Sequence, residues 1–96
     1  MTIIKVVSEA GISVLFKIES NFEAALTNIR TLLKKPQSTS TTIIAGLLTV
    51  SNLYSIKSMD DMEFDWIEIN FRSKKIMKCQ RKDSIPITYI VEDMVR

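Results

Sequence analysis

Histidine is absent and cysteine occurs once, at Cys79. The chain therefore lacks the side chain that most often moves protons near neutral pH, has no conventional Cys/His zinc set, and can form no internal disulfide. Cys79 has no histidine to activate it as a nucleophile and reads as a small buried hydrophobe. The two glycines, Gly11 and Gly46, are too few and too far apart for a phosphate-cradling loop or a dinucleotide fingerprint. The longest weakly polar stretch, Thr41 to Ile56, is interrupted by Thr, Ser and Asn, and the N-terminus lacks the charged, apolar and small-residue succession of a secretory signal. These absences point to a non-enzymatic protein without cofactor or metal, in an intracellular, cytoplasmic setting. Abundant Ile and Lys beside scarce Gly suit an A/T-rich genome of a virus, phage or mobile element, which would place the protein in the host cell.

What is present suits a single α+β domain spanning residues 1–96. An apolar content of 46% and the scarcity of Gly and Pro exclude disorder, and 96 residues can enclose a core without a metal or a disulfide. A net charge of +2 identifies no partner by itself. Thr2 to Ser8 is rich in β-branched residues, and Ile12 to Glu19 alternates between apolar and polar faces, with Gly11 supplying the turn between them. Near-continuous apolarity in Ile3, Ile4, Val6 and Val7 predicts that the first strand is central or covered on both faces. Ser20 and Glu23 have the spacing of a capping box, and Phe22, Leu26, Ile29 and Leu33 form a helical stripe that ends near Lys34, before Pro36. Thr42 to Ser55 is predicted as a second, largely buried helix on the spacing of Ile43, Leu47, Val50 and Tyr54, with Gly46 at a close contact. A last short strand is expected at Ile87 to Val91. The resulting order, ββααβββ, suits a two-layer sandwich of an antiparallel sheet of about five strands with two helices on one face.

The most informative stretch runs from Glu63 to Lys82. Asp60, Asp61, Glu63, Asp65 and Glu68 are followed by Arg72, Lys74, Lys75, Lys78, Arg81 and Lys82, a segregation of charge found nowhere else in the chain. Alternation from Phe64 to Arg72 sets Ile67, Ile69 and Phe71 on one face and Phe64, Trp66 and Glu68 on the other. A three-residue connection at Arg72 to Lys74 would pair Ile69 with Met77, Ile67 with Cys79, Asp65 with Arg81 and Glu68 with Lys78. Asp65 and Glu68 fall on opposite faces of their strand, which argues against a shared metal ion, and the calcium-loop spacing is missing around Asp60 and Asp61.

With the isoleucines turned inward, Phe64 and Trp66 lie on the outer sheet face. Three readings follow: a secondary core, a protein interface that includes Leu15, or a base-stacking platform flanked by Lys17, Lys78 and Lys82. The secondary core is the plainest of the three; of the two functional readings the interface leads, with a second copy of the chain or another protein as partner and Leu15, Phe64 and Trp66 as contacts. The alternative is nucleic-acid or acidic-partner binding through Arg72, Lys74, Lys75, Lys78, Arg81 and Lys82. Glu19 and Glu68 on the outer face oppose it, because they would repel phosphate.

Overall fold

The computed structural model describes residues 2–34, 39–53, 65–82 and 85–94. The chain folds as β1 (Thr2–Val7), β2 (Ser13–Ile18), α1 (Phe22–Leu33), α2 (Ser40–Leu48), β3 (Asn52–Leu53), β4 (Trp66–Asn70), β5 (Lys75–Lys82) and β6 (Ile85–Asp93). The predicted α+β order is observed, with the two-residue β3 added at one edge. The sheet order is β3-β2-β1-β4-β5-β6, so β1 is central, as its apolar run predicts.

One pairing departs from a wholly antiparallel sheet. β1 and β4 run parallel, with Ile4 beside Ile67 and Val6 beside Ile69. The physical reason is the connection: a short turn returns a strand antiparallel, whereas the segment between β2 and β4 carries both helices and brings the chain back in the same direction.

Sheet residues of one parity meet both helices. Ile4, Val6, Phe16, Ile67 and Ile69 form one cluster with Ala25, Leu26 and Ile29 of α1 and Ile43 and Leu47 of α2. Burying a Leu, Ile or Phe side chain of this kind contributes about 1.5–3 kcal/mol each. The helices thus occupy one face, and Ile67 and Ile69 point at them as the alternation predicts.

Helix ends are set by local hydrogen bonds that the spacing misplaces by one residue or more. The N-cap of α1 is Asn21, whose Oδ1 accepts from the Ala24 amide at 2.9 Å. Ser20 is drawn away from that role because its carbonyl accepts from the Thr2 hydroxyl at 2.8 Å, tying it to the start of β1. The second helix stops at Leu48, well before Ser55. Its last carbonyls are taken by hydroxyls, Gly46 by Thr49 at 2.7 Å and Leu47 by Ser51 at 2.5 Å, so the chain leaves the helix with Val50 exposed. Tyr54 lies outside the described residues. Gly46 does sit at a helix contact: a Cβ there would come within 2.6 Å of Leu32 Cδ2.

The β4–β5 register differs from the predicted one. Asn70 pairs with Lys75, so the connection is the four residues 71–74, and Ile69 meets Ile76, Ile67 meets Lys78, and Trp66 meets Cys79. Phe71 ends the strand by turning into the core, its amide bonded to the Val7 carbonyl at 2.9 Å. The Asn70 side chain then accepts from the Arg72 and Ser73 amides at 2.9 and 3.0 Å, and Lys74 takes the positive φ (59°) that closes the turn without a glycine. This register places Ile76 in the core and moves Met77 and Cys79 to the outer face beside Trp66.

Candidate interaction surface

The outer face of the sheet carries a small apolar cluster of its own. Ile3, Trp66 and Cys79 are buried there, with Leu15 and Met77 partly buried around them. Alternation in β1, β2, β4 and β5 brings these residues to one side, and every member of the cluster is a strand residue. Trp66 points away from the helices, as expected, but it is only 5% exposed. An anchor for a partner requires accessible area, so the direction assigned to Trp66 holds while its exposure does not. Leu15 is on the same face and partly buried, and Phe64 lies outside the described residues.

Two features of this cluster bear on its chemistry. The Trp66 Nε1 is buried and has no hydrogen-bond partner among the described residues. Burial also pushes the Cys79 thiol above its ordinary pKa, with a weak opposing contact from the Thr88 hydroxyl at 3.8 Å. A thiol held protonated is a poor nucleophile. At the polar end of the same face Lys5 faces Glu68 at 3.7 Å. Among the described residues no three Cys, Asp or Glu side chains converge as metal ligands would.

The basic residues of the hairpin are dispersed. Lys78 lies on the helix side, its Nζ 5.1 Å from the Phe22 ring centroid and 3.8 Å from Asp65. It therefore cannot share a face with Lys17 and Trp66, and its predicted pairing with Glu68 is replaced by the ion pair of Lys5 with Glu68. Lys75 bonds Asp93 at 2.5 Å across to β6. Arg72 folds back over the β1–β2 turn, where a Cβ on Gly11 would lie 2.9 Å from its Nη1. Lys74 is exposed at the turn. Arg81 and Lys82 lie on β5, with side chains outside the described set. The predicted pair of Asp65 with Arg81 is not the observed register, in which Arg81 lies opposite Pro86.

Among the described residues β6 is the longer of the two edge strands of the sheet, and it carries accessible apolar area. Ile85, Tyr89 and Ile90 are 64%, 51% and 62% exposed. β6 is longer than its predicted core, Ile87 to Val91, running nine residues along β5 with an irregularity between Ile76 and Met77. Its C-terminal end is tied down by charge: Arg30 of α1 bonds Glu92 at 2.6 Å, and Lys75 bonds Asp93. The signal for this surface was legible as a seven-residue run, Ile85 to Val91, without a charge. Its position at the sheet edge could be read only from the topology.

No family model, curated protein or solved structure matches this chain. The helices described are too short to cross a membrane.

Proposed function

We propose that this protein is a non-enzymatic interaction module that docks through β6, an edge strand with no further strand beside it among the described residues. The observation that carries the reading is the grouping of Ile85, Tyr89 and Ile90, all more than half exposed, on one uncharged edge segment. Single exposed hydrophobics are ordinary, whereas several on a long edge strand offer both apolar contact and unpaired backbone groups. A strand edge of this kind recognises another strand, backbone to backbone, with side chains supplying selectivity. Met77 of β5, opposite Ile90 and partly buried on the outer face, extends the apolar area toward the Trp66 cluster.

The nucleic-acid reading has less support. Phosphate binding needs cations that track one backbone, and here Lys75 and Lys78 lie on opposite faces of β5, each beside a carboxylate.

A photo-crosslinking residue placed at Tyr89, with one at the exposed Glu23 of α1 as control, tests the proposal in an extract of the source cells. The expected result is a discrete adduct from position 89 only, abolished when Ile90→Lys is added. No adduct from position 89, or equal adducts from both positions, overturns it.

A further inference from the structure

Granting the interaction reading, we infer that the strand received by β6 is the β6 of a second copy of this chain, paired antiparallel about a two-fold axis at Thr88. Pro86 indicates which backbone groups are free. A proline has no N–H and sits in an edge strand with its nitrogen turned away from the ladder. By alternation the amide and carbonyl of Thr88 and Ile90 also face the open edge, while Ile87 and Tyr89 bond toward Gln80 and Lys78 of β5.

Symmetry then narrows the register. For two copies of one strand to continue a single sheet, opposed residues must belong to the same face, so the axis must pass through a residue. The regular part of β6 runs from Ile85 to Ile90, because the register shift follows Ile90 and leaves Val91 without a partner on β5. Of the two residues at the centre of that segment, Thr88 is the one whose amide and carbonyl face the open edge. Centring there sets Thr88 against Thr88, Ile87 against Tyr89 and Pro86 against Ile90, all within the regular segment. Every pair is apolar or hydroxyl to hydroxyl, and about four inter-chain hydrogen bonds form, two between the threonines and one from each Ile90 amide to a Pro86 carbonyl. An axis at Tyr89 or Ile90 would instead bring Glu92 or Asp93 opposite apolar side chains or Thr88, across the irregular end.

Charge favours a self-like partner as well. The edge from Ile85 to Val91 offers no charge to select an acidic or basic strand, and the flanking Glu92 and Asp93 are already engaged by Arg30 and Lys75 of their own copy. Opposing identical strands therefore meets no like-charge repulsion. So short an edge buries less than the ~1,000 Å² typical of a stable interface, which makes the dimer weak, with dissociation in the micromolar range or above.

Sedimentation equilibrium of the purified full chain up to about 200 µM tests this, together with disulfide trapping at two positions. The wild type should show a concentration-dependent dimer, and Ile90→Lys should raise its dissociation constant at least about tenfold while leaving the melting curve in place. In a Cys79→Ala background, needed because the Cys79 sulfur lies 3.8 Å from the Thr88 hydroxyl, Thr88→Cys should oxidise to a covalent dimer, whereas Ile90→Cys should not, because the two copies of residue 90 are offset along the strands. A monomer at all concentrations, with Thr88→Cys trapping no faster than Ile90→Cys, overturns the dimer. If the crosslinker at Tyr89 then still captures a different protein in an Ile90-dependent way, the interaction reading survives without the dimer. If it captures nothing, both fail.

Discussion

Glu9, in the turn between β1 and β2, accepts hydrogen bonds from both the amide and the hydroxyl of Ser40, at 3.1 and 2.5 Å. Ser40 is the first residue of α2, so a carboxylate from the sheet layer closes the amino end of the helix lying on it. Two effects act together there: an otherwise orphan donor is satisfied, and negative charge meets the positive end of the helix dipole. The same contacts hold the Glu9 carboxyl below its ordinary pKa, the Ser40 hydroxyl having the largest influence.

A pH-dependent stability follows from the sign of that shift. The lowered value in the folded state means that Glu9 contributes fully above the ordinary carboxylate range and loses its contribution as pH falls through the folded value. Glu9→Gln should cost about 0.5–1 kcal/mol at neutral pH, toward the low end of capping effects because the group is solvent-exposed. Urea melts of both proteins should differ at pH 7 and converge in acid. An unchanged difference across that range would mean that the carboxylate charge is irrelevant to α2.

Asn21 and Ser20 should respond in opposite ways to truncation. Asn21→Ala removes the oxygen that accepts from Ala24 and should cost about 1 kcal/mol. Ser20→Ala should be neutral or slightly stabilising, because the Ser20 Oγ is buried without a partner among the described residues. Thermal melts of the two variants decide which residue caps α1.

Parts of this fold are readable from spacing alone. Strict alternation placed Ile67 and Ile69 against the helices and Trp66 away from them, because Ile67, Ile69 and Phe71 make one parity apolar along the strand while Glu68 and Asn70 follow Trp66 on the other. β5 offers no such asymmetry. Ile76 lies on one face and Met77 and Cys79 on the other, so both registers bury something, and the choice rests on Phe71 turning inward and on the Asn70 side chain bracketing the turn. The early end of α2 is a side-chain effect too, since the hydroxyls of Thr49 and Ser51 compete for carbonyls that the apolar spacing would have kept helical. The proposed interaction surface was the least legible feature. Alternation marks Trp66 as an outward aromatic, but exposure depends on neighbours in space, and those leave Tyr89 and Ile90 exposed instead.

Trp66 and Cys79 should behave as core residues in solution. With Cys79 2% exposed and its thiol pushed up by burial, reaction with a disulfide reagent at neutral pH should be at least about tenfold slower in the folded protein than in urea. Trp66→Ala should cost about 3–5 kcal/mol, whereas Trp66→Phe, which also removes a buried and unpaired N–H, should cost far less. A freely reactive thiol in the native state would show that the outer face opens in solution and would restore Trp66 as a contact residue.

The basic hairpin should bind nucleic acid weakly if at all. Arg72 folded over Gly11, Lys75 on Asp93 and Lys78 between Asp65 and the Phe22 ring point in different directions, so few of them can meet one phosphate backbone together. Counterion release rewards each phosphate neutralised, and the logarithm of the affinity falls with the logarithm of salt with a slope of about 0.9 per contact on duplex DNA. Gel retardation of single- and double-stranded DNA and RNA at about 50 mM salt should show no discrete complex, since this electrostatic contribution is strong at that concentration. A retarded band whose affinity falls steeply with salt, and which Lys74→Glu abolishes, would instead assign the turn at residues 71–74 to phosphate recognition and count against the proposed role of β6.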